Sequence, residues 1–264
     1  MTASPKPDSD ELRVERADGV ARLTLARPAA RNALSLGLME RLDASLAALA
    51  GDSGVKVVVI AAEGPAFSAG HDLKELRGAD QPMLSRIFET CSRLMMRIIA
   101  LPKPVIAEVD GMATAAGCQL VASCDLAIAS TASRFATPGV NIGLFCSTPM
   151  VALSRAVGRK QAMEMLLTGA PVDAERAVVL GLINRAVPAA ELRPAVDALA
   201  ASIAAKSPLT VAIGKEAFYR QAEMPLAEAY RYTAEIMVRN MLARDAGEGI
   251  DAFLAKRQPV WRGA

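Results

Sequence analysis

A chain of 264 residues with 52% hydrophobic content is long enough to bury a large core, which excludes disorder as its default state. Its net charge of +2 arises from 30 basic and 28 acidic residues with no dense Lys/Arg block, so there is no electrostatic footprint for nucleic acid. Four cysteines without a CxxC pair and a single histidine, His71, argue against zinc, so no metal is expected and the thiols read as buried and free.

Residues 1–10 mix Pro, Ser, Asp and Lys without an apolar stretch and read as a disordered tail. They resemble neither a secretory signal nor a transit peptide, and the expected location is cytoplasmic. Val20 to Leu25 alternates in the manner of a half-buried strand. Ser35 is placed to cap a helix whose Leu38, Leu42, Leu46 and Leu49 form one stripe. Lys56 to Ala62, Val105 to Val109 and Leu126 to Ala129 are short, mostly continuous apolar runs, as suits strands covered on both faces. Between the first two of these runs, Pro82 opens a helix expected to reach about Ala100. The order strand, helix, strand, helix predicts an α/β core over residues 11–190.

After about Pro188 the strand signals cease, and residues 191–264 are expected to form a helical lobe of three segments, punctuated by Ser207-Pro208 and Met224-Pro225. Leu226, Tyr230, Thr233, Met237 and Met241 recur every three or four residues there, as a packing stripe for the main lobe or for another subunit. No apolar run is long enough for a membrane span, and no sequence repeat is present.

Several familiar motifs fail on inspection. Ser68 is preceded by Ala66 where a nucleophile elbow needs glycine, and the lone His71 lies three residues away on the same loop. Gly214-Lys215 lacks the upstream glycine of a P-loop, because Leu209 stands there. Gly247 to Ala252 mimics a dinucleotide fingerprint but follows no predicted strand.

Two segments remain: Phe67-Ser68-Ala69-Gly70-His71-Asp72-Leu73-Lys74-Glu75, and Asp110 to Leu120 with its Ala115-Ala116-Gly117-Cys118-Gln119. Taken alone, Ala115-Ala116-Gly117 is a small-residue helix start packed on a strand. Together the segments resemble the crotonase superfamily, the enoyl-CoA hydratases and isomerases. Arg31-Asn32-Ala33-Leu34, Pro102 to Ala107, Leu167-Thr168-Gly169 and Gly181-Leu182-Ile183 extend the likeness from about Leu12 across nearly the whole chain.

The resemblance implies an α/β spiral of ββα units with a C-terminal helical lobe that builds a trimer, often paired into a hexamer. It implies an acyl-CoA or enoyl-CoA thioester as substrate, with coenzyme A part of that substrate and no separate cofactor. The backbone amides of His71 and Ala116 would form an oxyanion hole for the thioester carbonyl. Arg31, Ala33, Ala69, Asp72, Leu73, Lys74, Cys146 and Ser147 are the expected substrate-binding residues, with Phe253 and Lys256 reaching CoA across a subunit boundary.

Relatives that hydrate a double bond carry two glutamates where this chain has Gln119 and Gly139, a pair also missing from the branch it most resembles. A glutamine amide cannot exchange a proton near neutral pH and glycine has no side chain, so efficient hydration is not expected. Glu89 and Glu108 are the nearest alternative acids in sequence. The function implied is an enzyme that stabilises an acyl-CoA enolate, or alternatively a non-catalytic acyl-CoA binding or regulatory protein.

Overall fold

Residues 11–264 are described by a computed structural model, so the expected tail at 1–10 lies outside the described residues. The chain begins with an antiparallel hairpin, β1 (Leu12–Ala17) and β2 (Val20–Leu25), turned at Asp18 and Gly19 with φ of 51° and 79°. Positive φ at both central residues is the demand of a type I′ turn, which Asp-Gly meets. The helix α1 (Leu36–Ala50) follows, its Ser35 hydroxyl accepting from Leu38 N, with Leu38, Leu42, Leu46 and Leu49 all buried.

Three ββα units then succeed one another. The first is β3 (Val57–Ala62), β4 (Ala66–Ser68) and the helices α2 (Leu73–Gly78) and α3 (Gln81–Ala100). The second is β5 (Val105–Val109), β6 (Met112–Thr114) and α4 (Ala116–Ser123). The third is β7 (Leu126–Ser130), β8 (Arg134–Ala136), a 3₁₀ turn at Pro138–Ile142 and α5 (Pro149–Ala156). Next come α6 (Arg159–Thr168), β9 (Val172–Asp173), α7 (Ala174–Leu180) and β10 (Arg185–Val187).

The first strands of the units join a six-stranded sheet of order β1-β2-β3-β5-β7-β10, and the second strands a four-stranded sheet of order β4-β6-β8-β9. All neighbours are parallel except β1 with β2 and β8 with β9. The expected spiral is therefore present, although the sequence repeats nothing: the repetition lives in strand pairing, which does not need repeated residues.

Alternate residues of the large sheet enter two separate cores. Leu23, Val58, Ile60, Val105 and Ala107 meet α1 and α3, whereas Val57, Val59, Ile106 and Ile128 pack under Leu192, Val196 and Ala200 of α8 (Ala189–Ala204). Burial on both faces is why these strands read as unbroken apolar runs. It also corrects the reading of β2 as half-buried. Arg22 on its polar face is only 4% exposed, held by Glu108 and by Asp197 of α8 at 2.5 Å, so helix covers this face as well.

The C-terminal lobe holds four helices, α8, α9 (Pro208–Gln221), α10 (Leu226–Met241) and α11 (Arg244–Leu254), where three were expected. The additional helix is α11, whose Gly247 and Gly249 lower its local helix propensity. Tertiary contact overrides this weak preference: Asp245 and Ala252 are buried, and Trp261 lies against Gly249. No single helix among the described residues is long and apolar enough to cross a membrane.

Candidate active site

The loop from Ser68 to Asp72 is fixed by Asn32, which belongs to the segment Arg31-Asn32-Ala33-Leu34 but has no role assigned from sequence. Asn32 is fully buried; its Oδ1 accepts from Arg27 N, and its Nδ2 donates to the carbonyls of Glu63 and Ala66, each at 2.8 Å. Its carbonyl accepts from the Ser68 hydroxyl at 2.9 Å, which in turn accepts from Gly70 N at 3.3 Å. Leu34 N donates to the Gly70 carbonyl at 2.7 Å, and Ala69 N donates to the Arg31 carbonyl at 3.0 Å. The peptide leading into His71 is thus held from both sides. Arg27 adds an ion pair to Asp72 and a bond to the Ala33 carbonyl, and Glu75 accepts from Leu36 N at the start of α1.

Against this loop sits the start of α4. A methyl group on Gly70, whose φ is +87°, would lie 3.0 Å from the Thr114 carbonyl oxygen and 3.2 Å from Ala116 N. One on Gly117 would collide with the Ser68 carbonyl. Both glycines are required by this close approach. It brings Gly70, the residue before His71, against Ala116 N. Ala116 is the first residue of α4, where an N–H has no intrahelical acceptor and the helix dipole favours negative charge. Ala115 before it adopts φ 50° and ψ −118°, backbone that glycine takes far more readily than alanine.

Gln119, 4% exposed, lies one turn into α4, and its Oε1 accepts from the Cys91 thiol of α3 at 3.8 Å. At Gly139 the chain leaves no room for a side chain: a methyl group would stand 2.9 Å from the Leu144 carbonyl oxygen and 3.0 Å from Cys146 Sγ. Burial pushes the Cys146 thiol up, with the Gly139 backbone opposing, and pushes Cys118 up to about 12 with Cys146 nearby adding to the shift. These thiols stay protonated near neutral pH and are poor nucleophiles.

His71 stacks edge-on against Phe88, with ring centroids 5.3 Å apart, and its two ring nitrogens are buried without hydrogen-bond partners. Burial lowers its pKa, opposed by the Leu34 backbone, so the imidazole is neutral at pH 7. Asp72 accepts from Lys74 N at 3.0 Å as the cap of α2. Ala33 is buried, whereas Arg31, Ala69, Leu73, Lys74 and Ser147 are exposed. Phe253 and Lys256 are exposed at the end of α11, which packs chiefly on α9 and α10 and away from the two amides.

The two alternative acids differ in their surroundings. Glu108 is committed to Arg22 on the α8 side of the sheet, and Glu89 is exposed on α3. An open cleft of about 1690 Å³ between α3, α4, α5 and α9 has Gln119 in its wall, but not His71, Ala116, Gly139 or Cys146. Among the described residues no three His, Cys, Asp or Glu side chains gather as metal ligands. Asn32 and Ser68 both lie in segments that carry the family likeness, but partners some 30 residues apart cannot be paired from spacing alone.

Comparison with known proteins identifies the family of the fold. The Enoyl-CoA hydratase/isomerase family model matches residues 15–264. Human enoyl-CoA hydratase domain-containing protein 3, mitochondrial, is 50% identical over 262 residues, 98% of this chain and 84% of that one. The crystal structure of an enoyl-CoA hydratase from Mycobacterium smegmatis superposes with a TM-score of 0.94 at 49% identity, covering 96% of this chain and 99% of the other. The 2,3-dehydroadipyl-CoA hydratase of Escherichia coli (strain K12) is 35% identical over 96% of this chain and 99% of that enzyme.

The expectation of a cytoplasmic protein is overturned, because the matching relatives from human, rat and Xenopus laevis are mitochondrial by name. That expectation rested on the composition of a short terminal stretch, which carries no information about the packed chain. With its α/β spiral, a family match across residues 15–264 and a relative 50% identical over nearly its whole length, the chain belongs to the enoyl-CoA hydratase/isomerase family.

Proposed function

We propose that this protein binds an acyl-CoA thioester and stabilises its enolate, and that it is a poor hydratase of simple enoyl-CoA substrates. The reading is supported by the close approach of Gly70, which precedes His71, to Ala116 N at the start of α4. Preorganised donors of this kind act on charge that develops in the transition state, and losing one costs about 3–4 kcal/mol. The thioester oxygen accepts from both amides, with the α-carbon directed toward Gln119. Gln119 holds a ligand or a water by hydrogen bonds without exchanging a proton. Phe253 and Lys256 reach the CoA moiety of a neighbouring subunit in a trimer or a pair of trimers.

A second reading, an acyl-CoA binder without turnover, is favoured by one observation. Glu108 is paired with Arg22 and so is not free to move a proton at the thioester.

Ala116→Pro tests the first reading, because proline is accepted at the first position of a helix and removes the N–H. The variant is expected to bind a CoA-linked enolate mimic about a hundredfold more weakly, with circular dichroism and light scattering checking that it remains folded. Unchanged binding would remove Ala116 from the site. Crotonyl-CoA hydration far below that of a glutamate-bearing relative is expected, and turnover of any acyl-CoA dependent on Ala116 separates enzyme from binder.

A further inference from the structure

The turn after α11 keeps a lysine in a conformation that glycine would adopt at less cost. Lys256 has φ +52°, while its N–H donates to the Phe253 carbonyl at 3.2 Å and that of Arg257 to the Ala252 carbonyl at 3.0 Å. These two bonds define a Schellman cap, whose left-handed residue is usually glycine. A non-glycine residue persists there only where its surroundings over-determine it.

The surroundings are explicit. Glu248 grips the Arg257 guanidinium with both oxygens, at 2.6 and 2.8 Å, and also accepts from Val260 N at 2.7 Å. The chain is then bound back across the lobe. Trp261 Nε1 donates to the Ala205 carbonyl at 2.8 Å, while the buried carboxylate of Asp245 accepts from the Ser207 hydroxyl, Arg262 N and Gly263 N. Arg257 therefore has its charge answered within the chain, whereas Lys256 beside it forms no ion pair among the described residues. An exposed ammonium held in strained backbone, with no internal partner, is suited to an external anion.

We propose that Glu248 is a positioning residue: through its two-oxygen grip on Arg257 it fixes the turn that aims the Lys256 ammonium at the phosphate groups of coenzyme A. This rests on the acyl-CoA reading above and adds to it a residue that never touches the ligand. Arginine suits the grip because its planar fork matches a carboxylate in two places, which lysine cannot do. The Arg257 partner and Val260 N–H hold the Glu248 carboxyl at a pKa of about 2, so the grip persists across the physiological range.

The test is calorimetric titration of the full-length assembled protein with coenzyme A and, separately, with crotonyl-pantetheine, which lacks the nucleotide. Lys256→Ala and Glu248→Gln are each expected to weaken coenzyme A about fivefold, the scale of one exposed charge contact, while pantetheine affinity holds. The double variant is expected to be no weaker than Lys256→Ala alone, because Glu248 acts through Lys256. Arg257→Lys keeps the charge, loses the fork and is expected to match Glu248→Gln. Lys256→Gly is expected to raise the melting temperature while weakening coenzyme A.

Full coenzyme A affinity in Glu248→Gln and Arg257→Lys, alongside a loss in Lys256→Ala, would overturn the positioning role and leave the CoA contact standing. No loss in Lys256→Ala would overturn both. Equal losses for both ligands would reduce Glu248 to a general support of the fold and also overturn the proposal.

Discussion

Gly139 sits where the surrounding packing leaves no space for a side chain. The Leu144 carbonyl and the Cys146 thiol stand where a β-carbon would go, so Gly139→Ala overpacks the site and is expected to cost about 1–3 kcal/mol, read from urea unfolding. It follows that Gln119→Glu combined with Gly139→Glu will not restore crotonyl-CoA hydration, because the second carboxylate displaces the 144–146 segment before it can reach a water. A rate raised a hundredfold by the double variant would show that the segment yields freely. His71 makes a separate prediction about pH. Its folded pKa lies below its ordinary 6.5, so the folded chain takes up this proton less readily than the unfolded chain. Its contribution to stability is full above pH 6.5 and is lost as pH falls from there through the folded value. His71→Gln is expected to remove that part of the acid destabilisation, measured as the change in melting temperature between pH 7.5 and pH 5.

At the scale of elements, α9 is secured to the core by one buried polar hub. Lys215 donates from Nζ to the carbonyls of Ile98 and Lys103 and to the Asp125 carboxylate, at 2.8, 2.9 and 2.7 Å. The other Asp125 oxygen accepts from the Tyr219 hydroxyl at 2.9 Å, and Val105 N donates to the first at 2.6 Å. Burial pushes the Lys215 pKa down and Asp125 opposes it. Asp125→Ala strands the ammonium in the protein interior and is expected to cost about 3–5 kcal/mol in chemical unfolding, well beyond the loss of one surface pair. A cost under 1 kcal/mol would mean that water reaches Lys215. The hub also explains why Gly214-Lys215, a fragment of a phosphate loop by composition, is not placed to hold a phosphate: the lysine is turned inward.

For the whole molecule, the most informative surface is α10. Leu226, Tyr230 and Met237 are 75%, 71% and 57% exposed, so the stripe expected to pack on the main lobe or on another subunit does not pack on the main lobe. Ala229 is the one buried residue of this helix. Single exposed apolar residues are ordinary, but a row of them on one helix marks an interaction surface. In the trimer proposed above this row is covered by a neighbouring subunit. Leu226→Glu with Met237→Glu is therefore expected to shift light-scattering mass from a multiple of three chains toward one, without loss of helix content by circular dichroism. A monomeric wild type would contradict this assignment and separate Phe253 and Lys256 from any neighbour's CoA.

Local pattern alone determined much of this protein. The leucine stripe and Ser35 cap of α1 and the apolar runs of β3, β5 and β7 are readable because periodicity and capping act within a few residues. The segments around His71 and Ala116 were legible only through their family resemblance, because their local pattern alone reads as a packed helix start. Only tertiary structure decided that β2 is covered by α8 and that α11 forms despite its glycines. It also decided that Asn32 holds the Ser68–Asp72 loop and that Glu108 is paired with Arg22. Each of these depends on groups tens of residues apart meeting at hydrogen-bonding or van der Waals distance. Such meetings follow from strand order and layer packing, which a one-dimensional pattern constrains without specifying.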